Sequence, residues 1–184
     1  MEKQEIIRFL DENERQLEQL IRIKMEFWAE HVFLTPLWWF GFALTVIPWI
    51  LFLRFRTKQN TDRLLYAGFF VMVVSLTLDV TGDQLGLWNY RFNVIPFLPT
   101  YAPWDLTLIP VTVMWLLQFK PRIHPLVKGA AFALLTAYVG EPFFNRIGIY
   151  EPARWEFTYS VPIYFFIYYI AHLLINGKTF AGLR

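Results

Sequence analysis

Five long apolar stretches constrain this chain more than any other feature. They lie at about 33–53, 64–85, 100–119, 126–145 and 157–175, each close to the roughly 20 residues a helix needs to span hydrocarbon. Backbone inside a bilayer must satisfy its own hydrogen bonds, and unbroken apolar runs without strand alternation can do so only as helices. The expected fold class is therefore all-α: a polytopic membrane helical bundle of five transmembrane helices, multi-pass in the cell membrane, with the lipid bilayer as its first partner. A β-barrel is excluded by the same continuity. The segment "NVIPFLPTYAP" ahead of the third run carries three prolines and is not expected to be helical throughout.

The 184 residues fit one domain with an appendage. The appendage is residues 1–30, and the transmembrane domain is 31–184. Within 2–30, Ile6, Leu10, Leu17, Leu20 and Phe27 recur at helical spacing, interrupted by Asn13 and Lys24, which predicts an amphipathic surface helix. Asp11 with Arg15 and Glu18 with Arg22 are acid-before-base pairs that support an isolated helix. Two readings stand: a solvated helix packed on its own bundle or on a twin chain, and an interfacial anchor. The opening "MEKQEIIRFLDENERQ" has no apolar core or small-residue cleavage site, so it does not read as a secretory signal.

The absence of cysteine removes disulfides, thiolate metal sites and a cysteine nucleophile. A net charge of only +2, with its bases in short clusters, predicts no nucleic-acid partner. Those clusters bear on orientation instead. Arg54, Arg56, Lys58 and Arg63 follow the first run, Lys120, Arg122 and Lys128 follow the third, and Lys178 and Arg184 lie in the tail. The opposite connections hold Arg91, Arg146 and Arg154. The positive-inside rule then puts the first set in the cytoplasm and the N-terminal helix outside, although that helix carries five bases of its own.

Runs two to five form two hairpins, about 64–119 and 126–175, that look like an internal repeat. "LDVTGDQLGLWNY" in the first aligns with "GEPFFNRIGIYEP" in the second, matching Asp79 to Glu141, Asp83 to Asn145, Gly86 to Gly148 and Trp88 to Tyr150. Trp104-Asp105-x-Thr107 then answers to Trp155-Glu156-x-Thr158, and Pro110 and Pro162 follow. Parallel repeats of this kind imply a pseudo-twofold axis along the membrane normal.

Asp105 and Glu156 fall at the starts of their helices, where exposed N–H groups and the dipole favour a carboxylate, so capping is one sufficient explanation for them. Asp79 and Glu141 sit near the C-terminal ends of theirs, where the dipole disfavours negative charge. Placing an ionised acid in hydrocarbon costs about 3 kcal/mol on the lenient insertion scale. These two acids need a partner, a proton, a metal or a watery cavity. A salt bridge to Arg91, Arg146 or Arg154, or a hydrogen bond to a buried tyrosine, would be a structural answer; a reactive site would be a functional one. His31, His124 and His172 are scattered, and Ser75 and Ser160 lie in no nucleophile elbow. The aromatics fit interface belts, yet those beside the acids could also stabilise a cation.

At these residues two resemblances arise. The whole chain resembles a family of small, roughly five-span membrane proteins of spore-forming Gram-positive bacteria, which implies a class and no activity. Asp79, Gly86, Trp88, Tyr90, Pro103 and Asp105 are similar in order and spacing to the signature of the integral-membrane lycopene cyclase domain, over less than a fifth of the chain. That signature usually ends in paired glutamates, whereas Asp105 is followed here by Leu106. The resemblance implies a cofactor-free, non-redox isoprenoid cyclase acting on a hydrophobic small molecule. Asp79 would be the first-choice acid, Glu141 its pseudo-symmetric partner, and Asp105 and Glu156 would position it. Trp88, Tyr90, Trp104, Tyr150 and Trp155, with Asp83 and Asn145, would surround the substrate. The chain is short to enclose a carotenoid alone, which makes a homodimer an expected partner. Two other classes compete: a small transporter or binding protein for cations or amphiphiles, and a structural or sensory membrane protein.

Overall fold

The computed structural model describes residues 2–120 and 122–177; Lys178 and Arg184 lie outside them. Among the described residues the regular secondary structure is helical apart from one short strand pair. Helix α1 spans Lys3–His31, α2 Pro36–Phe55 and α3 Thr61–Gln84. A π-helical turn, Trp104–Leu108, runs into α4, Ile109–Gln118. Helix α5, Pro125–Leu135, continues through a second π-helical turn, Thr136–Gly140, into α6, Glu141–Arg146. Helix α7 is Phe157–Asn176, and strands β1 (Asn89–Tyr90) and β2 (Tyr150–Glu151) join the two hairpin connections.

Among the described residues, three helical segments are long and apolar enough to cross a membrane: α2, Lys58–Gln84 and α7. Twenty residues at 1.5 Å each give about 30 Å, the thickness of the hydrocarbon core. The third predicted run is shorter than expected, because its helix covers only Trp104–Gln118. Pro96 and Pro99 lie in the non-helical chain ahead of it. The fourth run forms an unbroken helical stretch over 125–146 that contains Lys128 and Glu141.

Local chemistry sets the ends. Thr35 precedes Pro36 and its hydroxyl accepts from the Trp38 amide at 3.4 Å, an N-cap with proline at the first helical position. Helix α3 ends where Gly86 takes φ +67° and α6 where Gly148 takes φ +78°. The two ends match bond for bond. The Gly86 amide donates to the Asp83 carbonyl and the Leu87 amide to Gly82; the Gly148 amide donates to Asn145 and the Ile149 amide to Phe144. Both are Schellman ends, which a left-handed glycine makes without strain.

Core packing comes from α3 against α4 and α7, and from α5 along α7. Phe52, Leu64, Val71, Val113, Met114 and Tyr168 fill its centre. Gly68 lets Met114 approach so closely that a Cβ would stand 2.5 Å from its sulfur. Lys128, grouped above with the connection charges, is instead buried, and its Nζ donates to the Leu116 and Phe119 carbonyls at 2.8 and 2.5 Å. It caps α4 from the neighbouring helix. Helix α1 buries none of its residues and is tied to the body where the Trp28 indole donates to the Asn93 carbonyl at 2.6 Å.

Candidate functional site

The turn at Gly86 reverses the chain, and the residues after it fold back onto the last turns of α3. Trp88 Nε1 donates to Asp79 Oδ1 at 2.9 Å, and the Tyr90 hydroxyl donates to the same oxygen at 2.7 Å. Gly82 makes the return possible, since a Cβ there would stand 1.9 Å from the Trp88 ring. The second connection turns at Gly148 and meets the first, while the partners of Glu141 come from α7. Strands β1 and β2 pair antiparallel, Asn89 with Glu151 and Tyr90 with Tyr150. Around them, the Arg91 amide donates to the Ile149 carbonyl and the Arg154 amide to the Leu87 carbonyl, both at 2.8 Å. The two hairpins thus close at the same end, and Asp79 and Glu141 face a common space.

Asp79 Oδ2 meets the Thr100 hydroxyl at 2.7 Å, and that hydroxyl meets Asp105 Oδ2 at 2.5 Å. The Ser75 hydroxyl and Asp79 itself also interact with the Asp105 carboxyl. Asp105 is only 2% exposed and sits in the first π-helical turn. The capping role expected of it is not what its side chain does: its carboxyl is committed to Thr100 rather than to helix N–H groups. Glu156 takes the N-cap position of α7 but makes no side-chain capping bond, and it is exposed. The helix start there is held by the Tyr159 amide donating to the Glu156 carbonyl.

Glu141 directly follows the second π-helical turn. Its Oε1 accepts from the Tyr164 hydroxyl at 2.9 Å, and Tyr164 in turn accepts from Trp104 Nε1 at 3.1 Å. Gly140 leaves room for that indole, because a Cβ would lie 2.9 Å from it. Ser160 also interacts with this carboxyl, yet Glu141 Oε2 is buried with no hydrogen-bond partner among the described residues.

Asp79, Asp105 and Glu141 line one cavity of about 60 Å³. Its walls include Trp88, Tyr90, Trp104, Tyr150 and Trp155, all named from sequence, together with Tyr101, Phe144 and Tyr164. No Lys, Arg or His of the described residues lines it. Three predicted residues stay outside. Glu156 does not reach the cavity. Asp83 is half-buried on α3 and lines no wall, and Asn145 Nδ2 is occupied by the Tyr150 carbonyl at 3.0 Å.

Neither Asp79 nor Glu141 has the arginine partner considered for it among the described residues. Arg91 pairs with Glu151 at 3.0 Å, while Asp79 and Glu141 take hydroxyl and indole donors instead. No group of three or more His, Cys, Asp or Glu side chains among the described residues is placed to hold a metal ion. Outside the membrane helices, burial pushes the Tyr90 and Tyr150 phenols well up from 10, and nearby carboxylates add to it: Asp79 and Asp105 for Tyr90, Glu141 and Asp79 for Tyr150. Both phenols therefore remain hydrogen-bond donors at neutral pH.

Comparison with protein-family models, curated proteins and solved structures returned no match. What the site can do follows from its own chemistry.

A threonine hydroxyl has one proton and donates once. Lying between two carboxyl oxygens, Thr100 needs a second proton from one of them. Asp79 accepts from Trp88 and Tyr90 through Oδ1, and Asp105 has a further contact with Ser75, so one proton of the Asp105–Thr100–Asp79 chain is held by one of two carboxyls that are otherwise both engaged. Thr100 and Tyr164 were not legible as site residues. A tyrosine inside an apolar helix does signal a hydroxyl in need of a partner, and Tyr164 could have been found that way. Thr100 carries no such signal, because the course of the loop that brings it to Asp79 is not written in local pattern.

Proposed function

We propose that the chain is a five-span cell-membrane protein that cyclises an isoprenoid without redox chemistry. The observation that carries this reading is the Asp105–Thr100–Asp79 chain set into an aromatic-walled cavity. Such cyclisation needs a carboxylic acid to protonate an alkene, walls that stabilise a carbocation, and exclusion of water. In this reading Asp105 is the donor end, which shifts the acid role from Asp79 to its partner across Thr100. The Asp105 proton adds to a terminal alkene carbon, a second double bond closes the ring, and loss of a neighbouring C–H proton to a wall carboxylate restores an alkene. No electron acceptor or cofactor enters that balance.

The free volume is small against a long polyprenyl chain. Only one end of a substrate enters, and the remainder lies along lipid outside the walls. Three apolar membrane-length helices, the shorter apolar helix Trp104–Gln118 and the helical run over 125–146 support the five-span reading, and the basic connection at 54–63 favours its placement in the cytoplasm.

The test is expression of the full chain in an isoprenoid-producing host, followed by lipid extraction and mass spectrometry. A new product isomeric with a host isoprenoid, absent when Asp105→Asn is expressed at the same level, is the expected result. An unchanged lipid profile across several host isoprenoids, with the protein present in the membrane, would overturn the reading.

A further inference from the structure

Glu141 has a feature that a cyclisation acid does not require. The residue is 6% exposed and lines the cavity, Oε1 is held by Tyr164, Ser160 also interacts with the carboxyl, and Oε2 is buried without a hydrogen-bond partner among the described residues. A buried carboxylate oxygen left without a donor costs about 1–3 kcal/mol, and no basic side chain of the described residues lines the same space to compensate Glu141. The complement of such a cavity is a ligand that brings both a donor and a positive charge.

We propose that the cavity binds a primary aliphatic ammonium, with an N–H donated to Glu141 Oε2 and the cationic head enclosed by the indoles and phenols of the wall. A neutral hydroxyl would satisfy the oxygen but leave the Glu141 carboxylate without a counter-charge. A quaternary ammonium would supply charge and lack the N–H. Aromatic walls favour a cation over water as the occupant, and a charge-assisted hydrogen bond is about twice as strong as a neutral one. A divalent metal is a poorer match, since fewer than three ligating side chains converge. The alkyl tail leaves by the route open to an isoprenoid chain. This binding rests on the cavity and Glu141, and stands whether or not the chain cyclises an isoprenoid.

The test titrates hexylammonium chloride at neutral pH against the full chain in lipid nanodiscs, following the fluorescence of the wall tryptophans Trp88, Trp104 and Trp155. Empty nanodiscs correct for partition into lipid. Saturable binding is expected, weaker by about tenfold or more for 1-hexanol, for hexyltrimethylammonium, and for hexylammonium with Glu141→Gln. Asp83→Asn, outside the cavity, should leave it unchanged. The ligand series on the unaltered protein keeps the test decisive if Glu141→Gln fails to fold. Equal affinity for hexanol and hexylammonium, indifference to Glu141→Gln in a folded variant, or signal that never saturates above empty nanodiscs would each overturn the proposal. A cyclised product without ammonium binding sinks this inference alone; ammonium binding without any product sinks the cyclase reading alone.

Discussion

Thr100 Oγ1 lies 2.5 Å from Asp105 Oδ2, and the same oxygen lies 2.7 Å from Asp79. The bridge joins two acids through one hydroxyl, and all three residues are at most 6% exposed. Removing the bridge while keeping its shape isolates what it does. Thr100→Val should lower product formation at least about tenfold and destabilise the fold by about 1–3 kcal/mol, because two buried carboxyls lose a shared partner. Thr100→Ser should retain both. Product quantification beside thermal unfolding in detergent separates these outcomes, and an active Thr100→Val would exclude the bridge from the chemistry.

Asp79→Asn tests the end read as the acceptor. The amide keeps an oxygen for Trp88 and Tyr90 but presents N–H to Thr100, which reverses the direction of the chain. Turnover should fall as far as it does for Asp105→Asn, with stability within about 1 kcal/mol of the parent, because size and most hydrogen bonds persist. Glu156→Gln, an exposed change, should alter neither. A large loss of stability in Asp79→Asn would assign that residue a structural role only.

Gly82→Ala sets two effects against each other. Helix propensity favours alanine by about 1 kcal/mol. The added Cβ, however, would stand 1.9 Å from the Trp88 ring, and overpacking costs about 1–3 kcal/mol. The clash should win, lowering the thermal midpoint and shifting tryptophan emission as Trp88 leaves Asp79. Combining it with Trp88→Phe should recover part of the stability. An unchanged emission spectrum in Gly82→Ala would count against the contact.

Tyr90 and Tyr150 predict the alkaline limb. Burial, with nearby carboxylates, raises both phenols above the ordinary value of 10.0, so the unfolded chain loses these protons first as pH rises. Their contribution to stability is complete below about pH 10 and is lost as pH climbs above it. Denaturation midpoints measured from pH 8 upward should fall past that point, and less so in Tyr90→Phe. Ultraviolet titration should show these phenols ionising only together with unfolding.

The helical segments were legible because lipid permits few alternatives to helices of bilayer length, and Gly86 and Gly148 marked their ends because both take a left-handed conformation that side chains resist. The site was legible in part. Asp79 and Glu141 stood out by cost, as acids in apolar helices near unfavourable dipole ends. Asp105 was underestimated because its place at a helix start offered a sufficient local explanation, and only the path of the loop through Thr100 shows a different use. Glu156 matched it in pattern and diverged in place. The π-helical turns were not read from the sequence, although each ends two residues before a proline, Pro110 and Pro142, whose ring and missing N–H disturb the hydrogen-bond ladder of the preceding turn; they precede α4 and α6, at positions that do not correspond in the repeat.

The pairing of β1 with β2 also orders events in time. It is reinforced by Arg91 and Glu151, which meet although 60 positions apart, so it closes a long loop and carries a correspondingly high entropic cost. Each hairpin can collapse on contacts near in sequence, whereas the strand pair forms only after both exist. Glu141 is therefore expected to meet Asp79 and Asp105, which Thr100 already joins within the first hairpin, late in folding. It should separate from them early in unfolding, so the cavity is expected to be lost to heat before the helices that build it.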